Sequence, residues 1–390
     1  MTYFPAPPNN QIRYDAGDRA RVSSLTTLFD GKTLNADETA LWDQKGTGTG
    51  TFANSAVSMA VTAGQYLIRQ SFVYSPYFSG KTQLVEMTFD NFANDANVVK
   101  RVGYFTSNAV APYASTYDGV WLEATGTSYK LCVANTGTLT LNLDWTQWDG
   151  YDQLSSYDWD SFTVVLFDFL WLGGAVLRMF VKTSTGFVLA HTFNYAGSGV
   201  TGVFMRSPQK PVRYEIRSTT GAGSVTAICC QVSSEGSLSE QYKSLAVYNT
   251  TVVPCAVVGT IYALKGMRAV AAYRDQTTAV IKFGGAVISN VLDGGIFMIL
   301  RNPVLSAPLT WAANGRIEEG TGSGAQTVTN PTLVVDTLPV VNSGESSPLE
   351  RNIFTQLPVG IDNTMGELIL AYQPYTATQD VTGTMTAIRN

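Results

Sequence analysis

The chain has 390 residues, of which 45% are hydrophobic and only 14% are charged. This length suits two domains of ordinary size. An average soluble domain is about 25% charged. Because large apolar surfaces rarely stay exposed on a monomer, we expect other chains to cover part of the surface of this protein. A formal net charge of −5 and the lack of any cluster of Lys and Arg exclude a nucleic-acid surface and an anionic membrane surface from our expectations.

Residues 1–35 are predicted to form an extended N-terminal arm. The segment is rich in Pro and Asn at first and has too little apolar periodicity for a self-sufficient element. Its start lacks the charged and apolar stretches of a signal peptide. Arms of this kind drape over a neighbouring subunit in an assembly, so Arg19, Arg21 and Phe29 are candidate assembly contacts.

Residues 36–238 predict a large antiparallel β-sandwich of the jelly-roll or lectin-like kind. Short runs rich in Val, Ile, Thr, Tyr and Phe alternate with Gly, Ser and Asn, and we find no amphipathic helical window of useful length. About a dozen closely spaced strands without helices between them are typical of such sandwiches. The predicted strands are 65–74, 82–89, 98–105, 120–124, 129–134, 138–143, 161–171, 175–182, 187–193, 212–218 and 227–232.

One apolar stretch, residues 164–181, is almost long enough to span a membrane. It contains Asp168 and Arg178, and the pair Gly173-Gly174 divides it. Charged groups are costly in a bilayer, and adjacent glycines favour a tight turn. The stretch therefore predicts two buried strands joined by a turn, without membrane insertion.

Residues 239–390 predict a second, smaller β-sandwich, which follows a Ser- and Gly-containing boundary near residues 234–237. Pro303 and Pro331 would confine their segments to strand ends or sheet edges, because proline has no amide hydrogen to donate. The predicted strands are 245–253, 269–273, 279–283, 296–300, 332–335 and 368–372.

Residues 144–160 combine aromatic and acidic side chains in one loop. Trp and Tyr faces stack on sugar rings, and Asp carboxylates fix sugar hydroxyls, so the loop is a candidate glycan contact or subunit interface. The alternatives are a loop that caps one end of the sandwich and, for Asp149 and Asp152, a calcium site without the EF-hand spacing. The candidate residues are Asp144, Trp145, Trp148, Asp149, Tyr151, Asp152 and Trp159.

Patterns of catalysis and cofactor binding are missing from the sequence. The only histidine, His191, lies between apolar neighbours of a predicted strand, and the four cysteines show no metal-ligand spacing. Glu123 and Glu215 are the carboxylates that a glycan-cleaving enzyme would use here. Charges embedded in apolar strands, such as Arg101 and Arg213, more often form structural ion pairs. We therefore predict no catalytic, cofactor or metal site.

Several segments, in collinear order, resemble uncharacterised virion structural proteins of tailed bacteriophages and large DNA viruses. The resemblance covers residues 14 to about 236 and implies a place in the virus particle, without catalytic or cofactor residues. The segments are YDAGDRARVS (14–23), TLFD (27–30), SGKTQL (79–84), KRVGYF (100–105), WLGG (171–174), PVRYEI (211–216) and SEG (234–236).

The expected function is that of a non-enzymatic structural protein on the exterior of a virus particle, attached to capsid or tail. It would assemble in the host cytoplasm through its arm and its β-domain interfaces. Its expected partners are copies of itself and other virion proteins, with no cofactor and no nucleic acid. One alternative is a receptor-recognition or fibre component that binds host glycan, and another is a glycan-cleaving virion enzyme.

Overall fold

The chain divides into two units, Met1–Ser239 and Glu240–Asn390. The predicted boundary between residues 238 and 239 and the first 13 residues of the predicted arm lie outside the described residues. The computed structural model describes residues 14–16, 19–21, 24–93, 95–126, 128–199, 201–236, 243–248, 252–270, 281–289, 294–314, 317–331, 334–340, 347–349, 355–356, 359–362, 366–375 and 379–389.

The first unit is built from two antiparallel sheets, and strands are numbered in chain order. One sheet has eight strands: β1 (Leu25–Lys32), β3 (Thr49–Ala53), β4 (Ala56–Val61), β6 (Gln83–Asp90), β11 (Thr163–Leu170), β12 (Val176–Thr183), β13 (Gly186–Asn194) and β15 (Gly223–Glu235). Their order is β13-β12-β11-β6-β15-β4-β3, and β1 also pairs with β15.

The second sheet of this unit has seven strands in the order β10-β9-β8-β7-β14-β5-β2. They are β2 (Trp42–Gly46), β5 (Tyr66–Ser71), β7 (Val98–Thr106), β8 (Asp118–Thr125), β9 (Ser128–Asn135), β10 (Thr138–Asp144) and β14 (Val212–Ser218).

Alternation along the strands builds the core between these two sheets. Val102 and Leu122 of the seven-stranded sheet and Val85 and Phe167 of the eight-stranded sheet belong to one buried apolar cluster. Because successive side chains of a strand point to opposite faces, the residues on either side of these point outward. The predicted all-β sandwich is confirmed for this unit.

The apolar stretch 164–181 forms β11 and β12, which pair with each other as an antiparallel hairpin. Gly173 in the connection has a φ of +89°, a left-handed conformation that glycine adopts at little cost. The prediction of two strands joined by a glycine turn is therefore confirmed. In the described part of the chain, no helix has the length and apolar character needed to cross a membrane.

The predicted arm differs from the structure over residues 25–32, which form β1 of the eight-stranded sheet. Phe29 is buried and packs edge-to-face against Trp42, with ring centroids 5.8 Å apart. The pairing of β1 with β15 shifts register between Thr27 and Phe29. Such an irregularity breaks the two-residue alternation by which a strand is recognised in sequence.

A loop with two short helical segments connects β10 to β11. Trp145–Gln147 forms a single 3-10 turn, and Tyr151–Leu154 forms the four-residue helix α1. The Asp144 side chain accepts a hydrogen bond from the backbone N–H of Thr146 and so caps the first of these turns.

The second unit is also all-β. One six-stranded sheet has the order β22-β23-β18-β28-β20-β25, and another has β16-β29-β19-β26 with β17 paired to β29 and β27 paired to β19. β21 pairs with β24. The strands are β16 (Lys243–Tyr248), β17 (Val253–Cys255), β18 (Tyr262–Ala269), β19 (Ile281–Ser289), β20 (Gly295–Arg301), β21 (Val304–Leu305), β22 (Thr310–Asn314), β23 (Ile317–Thr321), β24 (Val328–Asn330), β25 (Val334–Val340), β26 (Ser347–Leu349), β27 (Thr355–Gln356), β28 (Leu368–Pro374) and β29 (Gln379–Arg389).

Strand predictions fare differently in the two units. Every strand predicted between residues 65 and 232 overlaps an observed strand, but β2, β3 and β4 of the same unit were not predicted. In the second unit, β29, most of the short strands and all of β18 except its last residue were not predicted. Parts of the predicted strands 245–253, 269–273, 279–283 and 332–335 lie outside the described residues.

Candidate functional site

Charged side chains form a row across the outward face of the seven-stranded sheet. Arg101 on β7 lies directly opposite Glu123 on β8 and, on its other side, opposite Glu215 on β14. Their chain neighbours Val102, Leu122 and Ile216 point inward and belong to the core. The alternation of strands therefore places all three charges on the outer face, about 4.8 Å apart from strand to strand.

Two more arginines extend this row along β14. In the segment 213–217, Arg213, Glu215 and Arg217 stand at every second position and therefore share the outer face. We call the set Arg101, Glu123, Arg213, Glu215 and Arg217 the arginine face.

Glu215 is the centre of the arginine face and has no exposed surface. Burial alone would raise the pKa of this carboxyl, but Arg213, Arg101 and Arg217 outweigh that effect and hold the pKa well below its usual range. Glu215 is thus an ionised acceptor at neutral pH. Its donors are Arg213 Nε and Nη2 at 3.0 and 2.6 Å, Arg217 Nε at 2.5 Å, Arg101 Nη1 at 2.9 Å and Tyr117 Oη at 2.9 Å.

Arg101 connects the two carboxylates of the site. Its Nε donates to Glu123 Oε2 at 2.7 Å while its Nη1 donates to Glu215. Glu123 also accepts from the indole N–H of Trp121 at 3.2 Å. Burial lowers the pKa of Arg101, but Glu215 and Glu123 reverse that effect and raise it, so the guanidinium stays charged between them.

Arg213 is fully buried and reaches the neighbouring strand β5. It donates to Gln70 Oε1 at 3.0 Å and to Ser107 Oγ at 2.8 Å. A guanidinium only donates, so the amide oxygen of Gln70 must face it. The amide nitrogen of Gln70 is then a buried donor with no acceptor within the described structure.

Each arginine of the site lies over an aromatic ring. Arg101 is 4.7 Å from the ring centroid of Tyr117, Arg213 is 5.3 Å from that of Phe105, and Arg217 is 5.1 Å from that of Tyr66. Cation–π contact and carboxylate pairing together fix the planes of the guanidinium groups.

The loop 107–117 covers part of the arginine face, and each arginine donates one hydrogen bond to it. Arg213 binds Ser107, Arg101 binds Tyr117 Oη at 3.0 Å, and Arg217 binds the backbone oxygen of Tyr113 at 2.5 Å. The side chains of Arg101, Arg217 and Glu123 remain 14%, 16% and 12% exposed, whereas those of Arg213 and Glu215 are not exposed. Solvent therefore reaches the site at its Arg101–Glu123–Arg217 edge.

Two of the three tryptophans of the predicted glycan loop, Trp148 and Trp159, lie in the core of the first unit. Trp148 and Trp159 are 3% and 2% exposed and belong to the main apolar cluster. Trp159 stacks on Tyr129 with centroids 4.8 Å apart, and the indole N–H of Trp148 donates to the backbone oxygen of Leu143. Neither ring has a free face for stacking on a sugar.

The remaining aromatic residues of that loop are half-buried. Trp145 and Tyr151 meet edge-to-face at 5.5 Å, and Trp145 also packs edge-to-face on Tyr129. Part of each ring faces solvent.

The acidic residues of the loop bind within the unit or face solvent. Asp144 accepts from Thr146 and from Ser128, and these hydrogen bonds outweigh burial and lower its pKa. Asp149 accepts from the backbone N–H of Thr192 at 2.9 Å, and Asp152 is exposed at the start of α1. Among the described residues, no group of three or more His, Cys, Asp or Glu is placed to hold a metal ion.

The two arginines of the predicted arm bind to the first unit itself. Arg19 pairs with Asp15 and donates to the backbone oxygen of Gly80 at 2.8 Å. Arg21 pairs with Asp168 at 2.6 Å and with Glu235 at 3.0 Å. The described part of the arm therefore lies against strands β11 and β15 of its own unit.

The sequence predicted structural ion pairs for the embedded charges, and the contacts of Arg101 and Arg213 with Glu215 confirm this. The contributions of Arg217, Tyr117 and Gln70 were not predicted. The alternation of charges over residues 213–217 was a signal for Arg217, whereas Tyr117 and Gln70 come from a loop and a distant strand.

No protein-family model matches this chain, and no curated protein matches its sequence. Among solved structures it is similar to a β-glucanase of Bacillus licheniformis, with 12% identity, a TM-score of 0.35 and coverage of 54% of this chain and 99% of that one. It is also similar to a legume lectin-like domain from Entamoeba histolytica, with 11% identity, a TM-score of 0.34 and coverage of 54% and 98%. Similarities this limited carry no conclusion about function.

Proposed function

We propose that this protein is a non-enzymatic, glycan-binding component of a virus particle, with the glycan held at the edge of the arginine face. The observation that carries the proposal is the array of fixed polar groups and rings on an outward sheet face. Arg101, Glu123 and Arg217 reach solvent there, beside the half-buried rings of Tyr66 and Tyr117. Sugars are recognised by such combinations of oriented donors, acceptors and aromatic surface.

The proposed setting in a virus particle is supported by the resemblance of residues 14–236 to virion structural proteins. A particle component needs surface that other chains cover, and a chain with only 14% charged residues supplies it. In that setting, a structural protein of the particle would also recognise a glycan of the host surface as a receptor.

The pairing of the two glutamates supports binding without cleavage. A glycosidase needs one carboxyl that holds a proton near neutral pH and a second that is free to act as nucleophile or base. Glu215 is held ionised by three arginines, and Glu123 is engaged by Arg101 and Trp121. Their location on one face still makes glycan cleavage the second candidate function.

The test of glycan binding is a glycan array probed with the full chain, made multivalent through a tag. We expect bound glycans whose signal falls at least about tenfold in Arg217→Ala, since a charge-assisted hydrogen bond contributes roughly 1.5–3 kcal/mol. Arg268→Ala is the matched control, because Arg268 in the second unit also pairs with glutamates and lies over an aromatic ring, that of Trp311. Absence of binding to every glycan would refute the proposal.

Two further measurements test separately whether the protein is part of a virus particle and whether it cleaves the glycan that it binds. Peptides of this chain should be found by mass spectrometry in purified particles, and their absence from all head and tail fractions would refute the virion setting. Glycans that bind should be recovered uncut after prolonged incubation. Released sugars that disappear in Glu123→Gln would establish the enzyme instead.

A further inference from the structure

We infer that the ligand of the arginine face is an acidic glycan whose sugar carboxylate docks between Arg101 and Arg217. This inference rests on the proposed glycan binding and names the chemical class of the ligand. It is carried by an excess of positive charge and of unused hydrogen-bond donors at the same place.

The arginine face reverses the charge balance of the chain as a whole. Three arginines stand against two glutamates there, although the chain has a formal net charge of −5. The other charges of this sheet face are equal in number: Asp43 lies 3.9 Å from Lys45, and Lys130 is the register partner of both Asp144 and Glu123. One uncompensated positive charge therefore remains.

The acceptor positions of Glu215 are already occupied. Oε1 of Glu215 accepts from Arg101, Arg217 and Tyr117, and its Oε2 accepts twice from Arg213. Five hydrogen bonds exceed the about four lone-pair positions of a carboxylate. Glu215 consequently has no capacity left for the hydroxyl groups of a neutral sugar.

Donors, in contrast, remain unused. Arg101 bonds through Nε and Nη1 only, and Arg217 through Nε and Nη2 only, among the described residues. The amide nitrogen of Gln70, beside Arg213, has no acceptor among the described residues either, but Gln70 has no exposed surface. The donors that a ligand can reach are therefore those of Arg101 and Arg217.

A carboxylate fits these donors best. The planar guanidinium group binds a carboxylate through two parallel N–H···O bonds, and the half-buried position strengthens that contact relative to water. Glu123 is the one negative charge at the solvent-facing edge, so it opposes the incoming anion while it orients Arg101. Removal of that charge without loss of shape should therefore improve binding.

The test is calorimetric titration of the full chain with three matched oligosaccharides: a hexuronate oligomer, its carboxyl-reduced neutral form, and a sulfated form of that neutral oligomer. We expect the hexuronate to bind at least about tenfold more tightly than the neutral form. Its affinity should fall as salt is raised. Arg217→Gln should remove this preference, Glu123→Gln should strengthen it, and Arg268→Gln should leave it unchanged.

The outcomes distinguish this inference from the proposed function. Equal binding of hexuronate and neutral oligomers, or a preference that survives in Arg217→Gln, would overturn the carboxylate assignment while glycan binding stands. Tighter binding of the sulfated oligomer would overturn it in favour of a sulfated glycan. No binding of any oligosaccharide would overturn both. Thermal unfolding of each variant shows whether a loss of affinity comes from the site or from the fold.

Discussion

Replacement of Glu215 by Gln tests whether the arginine face is as tightly paired as its contacts indicate. The change keeps the shape of the side chain and removes the charge that Arg213, Arg101 and Arg217 share. Arg101 and Arg217 can regain water because their side chains are 14% and 16% exposed, whereas Arg213 has no exposed surface. The cost is therefore set by one fully buried arginine left without its carboxylate, about 3–5 kcal/mol.

Tryptophan fluorescence follows this change because six of the seven tryptophans lie in the first unit, with Trp311 in the second. With a urea m-value of about 3 kcal/mol/M, the midpoint of the first unit should fall by roughly 1 M or more. Glu86→Gln is the matched control in the eight-stranded sheet. Burial raises the pKa of Glu86, so neutralising it should leave the midpoint unchanged or increase it. Equal midpoints for Glu215→Gln and the wild type would refute the reasoning.

Three further predictions concern the first unit, and the first of them again involves Glu215 of the arginine face. The pKa of Glu215 is lowered in the folded state, so its contribution is complete above the unfolded value of about 4.3 and declines below it. Acid unfolding of Glu215→Gln should consequently be less steep than that of the wild type. Of the four free cysteines only Cys229 is not buried, so a thiol reagent should label one site quickly; rapid labelling in Cys229→Ser would contradict this. Arg21→Ala removes two ion pairs to Asp168 and Glu235 and should speed proteolytic removal of the arm; an unchanged cleavage rate would count against its docking.

Each outward face of the first unit has an acidic residue that lies in an apolar strand and forms ion pairs with arginines. On the eight-stranded sheet Asp168 is 1% exposed and accepts from Arg178 and Arg21. That pairing attaches the described part of the arm to its own unit. On the seven-stranded sheet the corresponding cluster keeps donors in excess at a solvent-facing edge, which is why only that face is proposed as a binding site.

The sequence by itself determined the strands of the first unit from β5 to β15 and the inward alternation of their apolar residues, whereas β1 to β4 were not predicted. Local composition is enough for that result, because a strand buried on one face repeats every two residues. β1 escaped this reading because a register shift beside Phe29 interrupts the repeat. The alternation of Arg213, Glu215 and Arg217 was likewise visible in the chain.

Only the tertiary structure decided which residues form the site. Arg101 and Gln70 meet β14 because β7 and β5 flank it in the sheet, and strand order is a property of the whole fold. The loop 144–160 has the composition of a sugar-binding loop, yet Trp148 and Trp159 are buried in the core. Aromatic side chains suit a binding surface and a core equally well, so burial, which depends on the packed fold, separates the two roles.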